Sequence, residues 1–316
     1  MKYFLKLVVL LAFFLVGGST YGQTPFDIVI NYTGDPQFQS AFENAEAIWE
    51  SILPSRIGTA PNSPTNTLTI TASVSPIDGP ATNPGNVLAT AEPTLAFGEG
   101  GFLYATEGIA IFDSADIATL SAGGTFEAVV LHEIGHVIGF GTLWEFNNVY
   151  FDSTSETSVG QYVGPNGLAQ YNQEFGLSED FIPIENNGGP GTEDFHFDEE
   201  TFGLPLNNDI TVEENLGPIN LGPNSGELLT GVLNGDIFIS NTTGGTFQDI
   251  GFEVDFDAIT AFNESVTAGS GSDAVPEPSS TAALLVASAV VFTRRRKQSL
   301  YSQQTSACQF NDELAS

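Results

Sequence analysis

The segment from Leu131 to Gly141, LHEIGHVIGFG, restricts the possible folds of this chain more than any other part of its sequence. Apolar residues surround its two histidines, and Gly139 is typical of a helix end, so we predict a helix over residues 126–138. Histidines four positions apart on a helix project from the same face, one turn apart. The side chains of His132 and His136 could therefore reach one metal ion together.

Glu133, next to the first histidine, could make this metal site catalytic. Imidazole nitrogens bind zinc at roughly 2 Å, and Glu133 is not needed as a ligand. Its carboxylate could instead accept a proton from a water molecule that zinc activates and later deliver it to a leaving amine. The HExxH spacing is for this reason tied to zinc-dependent amide hydrolysis. The same pentapeptide also occurs by chance in buried helices, but here it contains two of only three histidines in the chain.

A catalytic zinc usually takes three protein ligands, and the sequence offers two sources for the third one. His196 is the only histidine outside the motif. In the alternative scheme, which gluzincin proteases use, a downstream glutamate takes this place, and Glu156, Glu174 and Glu179 follow the motif. Isolated carboxylates are abundant in so acidic a chain, and nothing around these three resembles the second helix of that family. We therefore favour His196.

Several motifs between residues 26 and 262 resemble the leishmanolysin family of metzincin proteases. In that family an insertion separates the helix motif from the third histidine. The compact metzincin spacing would place this histidine at position 142, where the chain has a threonine. Besides the helix motif, the resemblance is carried by Phe112–Asp116 (FDSAD), Gly139–Trp144 (GFGTLW), Asp194–Gly203 (DFHFDEETFG) and Phe247–Phe252 (FQDIGF).

The resemblance implies a complete catalytic site. The three histidines would hold the zinc, Glu133 would be the general base, and proteins or peptides would be the substrates. Metzincins place a methionine in a turn beneath the metal, whereas the best match here, Glu227–Gly231, has Leu229 at that position. Leucine and methionine are close in volume and apolarity, and such an exchange usually costs less than about 1.5 kcal/mol in a core. We therefore expect a working site with altered packing.

The resemblance also implies an α+β fold of the metzincin type. A twisted N-terminal sheet and the active-site helix would lie above the cleft, with an irregular C-terminal subdomain below it. Local patterns agree with the upper part. Residues 26–32 alternate like a strand, and an amphipathic helix that presents apolar residues from Phe38 to Ile52 follows the capping residue Asp35. Residues 68–75 and 104–112 have the β-branched and aromatic content of strands.

Composition divides the chain into seven segments. Residues 142–195 contain many Asn, Gly and Ser residues and are expected to form an irregular insertion, and small residues at 265–274 are typical of a linker. In chain order, the predicted segments are a signal peptide (1–22), the N-terminal subdomain with the active-site helix (23–141), the insertion (142–195), the C-terminal subdomain with the third zinc ligand (196–264), the linker (265–274), a sorting and anchor segment (275–297) and a tail (298–316).

Both ends of the chain have the pattern of export signals. Lys2 and Lys6 precede an apolar run and a small-residue stretch, which is the order found in secretory signal peptides. At the other end, Val275–Pro278 (VPEP), an apolar run and the basic cluster Arg294–Lys297 resemble the bacterial PEP-CTERM sorting signal, which a membrane-embedded exosortase processes in that family. The apolar run is short for a membrane span, but the basic cluster beyond it favours a cytoplasmic stop. We expect an exported protein, envelope-bound or extracellular, that is at least transiently anchored at its C-terminus.

Charge excludes one class of function. The formal net charge is -32, and Arg56 is the only basic residue between Lys6 and Arg294. Such a surface repels phosphate backbones, so we exclude nucleic acids as partners. The only cysteine, Cys308, lies in the predicted tail, so the exported region has no disulfide and no thiol that could block the zinc.

The many acidic residues make calcium a candidate second cofactor. Hard cations prefer carboxylate ligands, but none of the close acidic pairs has the spacing of a dedicated calcium loop. We expect solvated acidic loops at each pair. The pairs are Asp113 with Asp116, Asp194 with Asp198, and Asp255 with Asp257.

A non-catalytic function is the main alternative. The chain could be an envelope adhesion or matrix protein with a structural zinc site, and the missing turn methionine and the predicted anchor favour this view. Glu133 distinguishes the two functions, because a purely structural zinc site has no use for a carboxylate at that position. We therefore predict an exported zinc-dependent endopeptidase.

Overall fold

The computed structural model describes residues 24–80, 87–151, 160–185, 191–198, 226–231 and 237–270. Within these ranges the chain is mixed α/β, with six α-helices and several small sheets, which is compatible with the predicted α+β class. The strands are β1 Asp27–Tyr32, β2 Ser55–Arg56, β3 Thr67–Ser75, β4 Ala89–Glu99, β5 Phe102–Asp113, β6 Tyr150–Phe151, β7 Gly160–Tyr162, β8 Ile182–Ile184, β9 Gly226–Glu227, β10 Ile237–Phe238 and β11 Phe252–Glu253. The helices are α1 Gln39–Ile52, α2 Ile117–Gly123, α3 Phe126–Ile138, α4 Pro165–Phe175, α5 Asn241–Asp249 and α6 Phe256–Ser270.

The largest sheet has four strands in the order β1-β3-β5-β4. The first three run parallel, and β4 pairs antiparallel with β5. On β3 the buried residues Leu68, Ile70 and Ala72 alternate with more exposed ones, as expected for a strand with one face in the core. The predicted strands near residues 26–32, 68–75 and 104–112 are thus confirmed, whereas β4 was not predicted.

Helix α1 forms as its sequence predicts. Asp35 caps a short 3-10 turn that leads into the helix, and its Oδ1 accepts the backbone N–H of Gln37 at 3.0 Å. The apolar face is buried, and the helix ends shortly before Pro54, which cannot continue it. From this face the indole N–H of Trp49 donates to the carbonyl oxygen of Leu131 at 2.9 Å. That bond links α1 to α3 directly beside His132.

Helix α3 packs tightly against the four-stranded sheet. Gly108 of β5 is the contact point, since a Cβ atom there would lie 2.2 Å from Cγ1 of Val137 and 2.9 Å from the carbonyl oxygen of Glu92. The helix covers the predicted residues 126–138 and ends at Gly139, whose φ of 140° favours glycine. The close contact at Gly108 therefore sets the depth at which α3 sits on the sheet.

The prediction of an irregular insertion at residues 142–195 is wrong for its described part, which contains β6, β7, α4 and β8. Helix α4 is mostly polar, so apolar periodicity did not indicate it; its contact with α5 holds it in place instead. At the crossing, a Cβ atom on Gly245 would lie 2.7 Å from the carbonyl oxygen of Asn166. Tertiary packing here overrides a weak local pattern.

Helices α4 and α5 cap each other. Asp249, at the end of α5, accepts the backbone N–H groups of Asn166 (2.9 Å) and Gly167 (2.8 Å) at the start of α4. Glu174, near the end of α4, accepts those of Asn241 (3.1 Å) and Thr242 (3.0 Å) at the start of α5. A carboxylate at a helix N-terminus is favourable because it binds unpaired N–H groups and faces the positive end of the helix dipole. The two helices are therefore joined by reciprocal capping.

Arg56, the one basic residue of this part of the chain, is fully buried. Its guanidinium lies 4.3 Å from the ring centroid of Phe26, 4.9 Å from that of Tyr104 and 5.2 Å from that of Phe252. It donates to the carbonyl oxygen of Ala105 at 2.8 Å. Burial lowers the pKa of Arg56 to about 9, which keeps it charged at neutral pH. The aromatic faces and carbonyl oxygens thus stabilise a cation inside the core.

Two of the three acidic pairs are not the solvated loops that we expected, whereas Asp255 and Asp257 are exposed as predicted. Asp113 is only 1% exposed, and its carboxylate accepts the backbone N–H groups of Asp78 (3.0 Å), Gly79 (3.1 Å) and Ala115 (2.8 Å). These bonds lower the pKa of Asp113 and hold a loop of the backbone. Other members of the pairs also bond within the protein: Asp194 accepts the hydroxyl of Tyr150, and Asp255 accepts the N–H groups of Asp257 and Ala258. Asp116 and Asp198 are buried as well.

The remaining segment predictions concern the two ends. The linker predicted at 265–274 begins too early, because α6 continues as a helix to Ser270. The predicted signal peptide, sorting segment and tail lie outside the described residues. Within the described part of the chain, no helix combines the length and apolarity needed to cross a bilayer.

The contact at Gly108 yields a stability prediction. Gly108→Ala should lower the free energy of unfolding by about 1–3 kcal/mol, because α3 must move away from β5 to admit the methyl group. Gly98→Ala on β4 is the matched control, since its Cβ atom would meet only the carbonyl oxygen of Phe102, at 3.9 Å. Urea denaturation of both variants measures the difference. Equal stabilities would contradict the close contact between α3 and the sheet.

Candidate metal centre

Candidate metal ligands from two segments of the chain meet at the C-terminal half of α3. The helix carries His132, Glu133 and His136 on two successive turns, and the described segment 191–198 brings His196 to them. All three histidines are 5–7% exposed. The part of the chain that the structure describes contains no other group of three or more side chains that could bind a metal ion together. The structure thus brings together the three histidines that the sequence predicted.

The ligand atoms are the three Nε2 nitrogens. The distance between them is 3.0 Å from His132 to His136, 3.1 Å from His132 to His196 and 2.9 Å from His136 to His196. Two nitrogens that each lie about 2.0–2.1 Å from one tetrahedral ion are ~3.3 Å apart. The triangle of nitrogens is therefore close to the size that a tetrahedral metal ion requires.

Each imidazole is held at its other nitrogen by a backbone carbonyl. Nδ1 of His132 lies 2.6 Å from the oxygen of Leu228, Nδ1 of His136 lies 3.1 Å from that of Phe140, and Nδ1 of His196 lies 2.9 Å from that of Thr192. A carbonyl oxygen only accepts, so each Nδ1 carries the proton and each Nε2 presents a lone pair. Three lone pairs then face one point, an arrangement that a cation bound between them would satisfy. This donor set fits a bound metal ion.

The protonation of the histidines agrees with that conclusion. Burial lowers the pKa of His132 to about 4, and burial together with the neighbouring His132 lowers that of His196 to about 3. The pKa of His136 is lowered well below its usual value by burial and then by the two other histidines. All three rings are neutral at pH 7, which is the form that binds metal ions.

The path of the chain after α3 explains how His196 reaches the other two ligands. The segment around Phe195 crosses directly over Gly141, where a Cβ atom would lie 2.4 Å from the carbonyl oxygen of Phe195. The φ of Gly141 is 70°, which also favours glycine. Thr142, at the position where the compact spacing would need a histidine, donates its hydroxyl to the carbonyl oxygen of His136 at 2.7 Å. Thr142 thus supports the helix end rather than the metal.

The turn at residues 227–231 supports the centre from the other side. Leu229 is fully buried, and its Cδ2 would lie 3.1 Å from a Cβ atom on Gly135, between the two histidines of α3. Trp49 lies against the same glycine, with its Cζ2 at 3.2 Å from that position. Glycine at position 135 therefore lets both large side chains pack against the helix.

Glu133 lies next to a ligand without belonging to the ligand group. The residue is 8% exposed, and burial raises the pKa of its carboxyl to about 8. A carboxyl with this pKa can exchange a proton near neutral pH. A positive charge nearby would lower the pKa again, because an opposite charge favours the ionised form.

The glutamates of the alternative ligand scheme are used elsewhere or lie outside the described residues. Glu174 caps α5, as described above, and its carboxylate also accepts the hydroxyl of Thr242 at 2.8 Å. Glu179 is not part of the group of possible ligands, and Glu156 is not among the described residues. Within the described part of the chain, His196 is thus the residue that completes the group.

Sequence reasoning missed the groups that orient the ligands. The carbonyl oxygens of Phe140, Thr192 and Leu228 hold the three rings, and a backbone acceptor leaves no signature in residue type. Glu227 could have been noticed, since it opens the turn that contains Leu229, and the structure shows that its carboxylate is buried.

No protein-family model matches this chain, and no curated protein is significantly similar to it. The interpretation of the centre therefore depends on the described geometry and on the motif residues. Three neutral imidazoles bind zinc well, but they also suit copper, iron and nickel. The geometry supports a metal ion without identifying it.

The lowered histidine pKa values yield a pH prediction for the metal-free protein. Histidines in the unfolded chain have a pKa of about 6.5 and bind protons below that pH. In the folded chain, His132 stays neutral down to about pH 4. The contribution of the three histidines to the free energy of unfolding should therefore fall as the pH drops from about 6.5 to 4, by up to about 1.4 kcal/mol per pH unit for each histidine, while the raised pKa values of Glu133 and Glu227 contribute in the opposite direction. Urea denaturation of chelator-treated protein across this range tests it.

His196→Ala is the control for this titration. The carboxylates are shared by both proteins, so the difference between their free energies of unfolding isolates the contribution of His196, which should shrink as the pH falls through this range. Identical slopes for the two proteins would contradict a buried, neutral His196.

Proposed function

We propose that this chain is an exported zinc-dependent endopeptidase of the leishmanolysin-like metzincin type. The observation that carries the proposal is the pairing of two features on α3. Two of three convergent ligand nitrogens stand on this helix, and a buried carboxylate that is not a ligand, Glu133, lies between them. A structural site needs the first feature only, whereas hydrolysis needs both.

Zinc is the proposed metal. The donors are three neutral imidazoles, their separations suit a tetrahedral ion, and a three-histidine set leaves the fourth position to solvent or substrate. When bound, zinc would lower the pKa of water to about 7 and polarise the carbonyl of a peptide bond. His132, His136 and His196 would hold it, with each ring oriented by its backbone carbonyl.

Glu133 is the proposed general base and acid. Its carboxylate accepts a proton from the attacking water and delivers it to the amine of the leaving peptide. Burial raises the pKa of its carboxyl to about 8 in the metal-free chain, and a bound cation would lower the pKa again, which favours both transfers near neutral pH. Its position on α3 is fixed by the packing of this helix at Gly108 and Gly135.

The remaining resemblance is consistent with the described structure. Leu229 packs against Gly135 of α3, and an apolar side chain of a volume similar to that of methionine supports its assignment to the turn position. Among the described residues β4 pairs only with β5, and it contacts α3. A strand with a free edge can bind an extended peptide through backbone hydrogen bonds, which supports a protein or peptide substrate.

Export, envelope anchoring and processing by an exosortase-like enzyme are also part of the proposal. They depend on the sequence patterns of residues 1–22 and 275–297, which lie outside the described residues. The strong negative charge agrees with the proposed absence of nucleic-acid partners.

Two substitutions separate the base from a ligand. Glu133→Gln removes the proton acceptor but keeps shape, so zinc should remain while peptide hydrolysis falls by roughly 10²-fold or more. His196→Ala removes a ligand, so zinc should be lost on dialysis together with activity. Metal analysis and casein hydrolysis, with and without a chelator, measure both effects.

Each outcome has a distinct meaning. If Glu133→Gln keeps zinc and no preparation hydrolyses protein substrates, the chain is a non-catalytic envelope protein with a structural zinc. If His196→Ala retains full zinc and near-normal activity, the assignment of the third ligand is wrong, and the leishmanolysin-like interpretation fails with it.

The anchor has its own prediction. Deleting residues 275–316 should release the protein from the envelope in soluble form with unchanged hydrolytic activity per molecule, because the three histidines and Glu133 lie upstream of the deletion. Cell fractionation and a peptidase assay on the soluble fraction measure this. Retention of the shortened chain in the envelope would contradict an anchoring role.

A further inference from the structure

Glu227 is a buried carboxylate one peptide group away from a ligand histidine. It is 4% exposed, and its Oε2 accepts the backbone N–H of Leu229 at 2.5 Å. That N–H belongs to the same peptide group as the carbonyl oxygen of Leu228, which lies 2.6 Å from Nδ1 of His132. The carboxylate, the peptide group and the imidazole thus form one continuous chain of hydrogen bonds that ends at the Nε2 lone pair.

The other carboxylate oxygen is fixed to helix α5. Oε1 accepts the backbone N–H of Ser240 at 3.1 Å, the hydroxyl of Ser240 at 3.0 Å and the hydroxyl of Thr243 at 2.5 Å. Ser240 is the capping residue of α5, so the charge of Glu227 also faces the positive end of the helix dipole. Donors on both oxygens favour the ionised form, whereas burial disfavours it.

We propose that Glu227 is a positioning residue that makes His132 a stronger metal ligand, acting through the peptide group between Leu228 and Leu229. A carboxylate that accepts an amide N–H polarises the amide and makes its carbonyl oxygen a better acceptor. The stronger bond to Nδ1–H orients the ring and raises the basicity of Nε2, as a carboxylate in direct contact with a histidine ligand does. The proposal rests on the three-histidine site of the proposed function.

The test compares two carboxylates that both face the start of α5. Glu227→Gln removes the charge behind His132, whereas Glu174→Gln removes the charge that holds the N–H groups of Asn241 and Thr242. The described hydrogen bonds of the Glu174 carboxylate run to α5 and not to the turn. Both variants should lower the thermal midpoint, so a difference in metal binding between them reports on the turn rather than on helix capping.

Metal binding is measured on the full chain at pH 8, because burial raises the pKa of Glu227 to about 7 and the carboxylate must be ionised. Zinc affinity is determined by competition with a chromophoric chelator. We expect Glu227→Gln to weaken zinc binding by about 10-fold and Glu174→Gln to leave it within about 2-fold of the unmodified chain. The visible absorption bands of the cobalt(II)-loaded protein should shift for Glu227→Gln only.

A second variant covers the case in which Glu227→Gln does not fold. Asp at position 227 can still accept the N–H two residues ahead, as in an Asx-turn, but is too short to keep its bonds to α5. Glu227→Asp should therefore lower the thermal midpoint while zinc affinity stays within about 3-fold. A loss of affinity above about 10-fold in this variant would overturn the proposal, because the contact with α5 would then be the decisive one.

Two further results overturn it as well. Equal zinc affinities and cobalt spectra for Glu227→Gln and Glu174→Gln would show that the charge behind His132 does not affect the metal. If the unmodified chain itself binds no zinc, the proposed function fails and this inference with it. If the unmodified chain binds zinc and Glu227→Gln leaves the zinc affinity unchanged, only this inference is overturned.

Discussion

The structure depends on three lone pairs that point at one place. Nε2 of each histidine lies about 3 Å from the other two, and none carries a proton because each Nδ1 donates to a carbonyl oxygen. Without a cation these lone pairs repel one another, so binding of a metal ion at this point would release free energy. Metal binding is then linked to folding: an ion that binds only the folded chain stabilises it by mass action.

Holding three nitrogens this close together requires tight packing around the centre. The depth of α3 on the sheet is set at Gly108, the approach of Trp49 and Leu229 is permitted by Gly135, and the crossing of the third ligand segment is permitted by Gly141. At each point the absence of a Cβ atom lets two segments meet. A small displacement at any of these three glycines would move a histidine nitrogen out of place, because metal binding tolerates only small deviations in ligand geometry.

The sequence predicted the parts of this arrangement that side-chain type determines. The apolar periodicity of α1 and α3, the strands β1, β3 and β5, and the three ligands all follow from residues that can be read directly. The sequence could not reveal α4, whose polar surface gives no periodic signal and whose ends are held by Asp249 and Glu174 from across the structure. Nor could it reveal the carbonyl groups that orient the histidines, since any residue at positions 140, 192 and 228 offers the same acceptor. The burial of Asp113 was unexpected for the same reason, as its partners are backbone N–H groups.

The placement of Arg56 has a consequence for how trypsin-like proteases could attack the chain. Proteases that cleave after arginine or lysine find only one such residue between Lys6 and Arg294, and its guanidinium is enclosed by the rings of aromatic residues in the core. Cleavage at Arg56 requires the core to open, so the cleavage rate would depend on the unfolding equilibrium rather than on the exposure of a loop. In surroundings rich in trypsin-like enzymes, the folded chain would persist where proteins with ordinary surface lysines are digested.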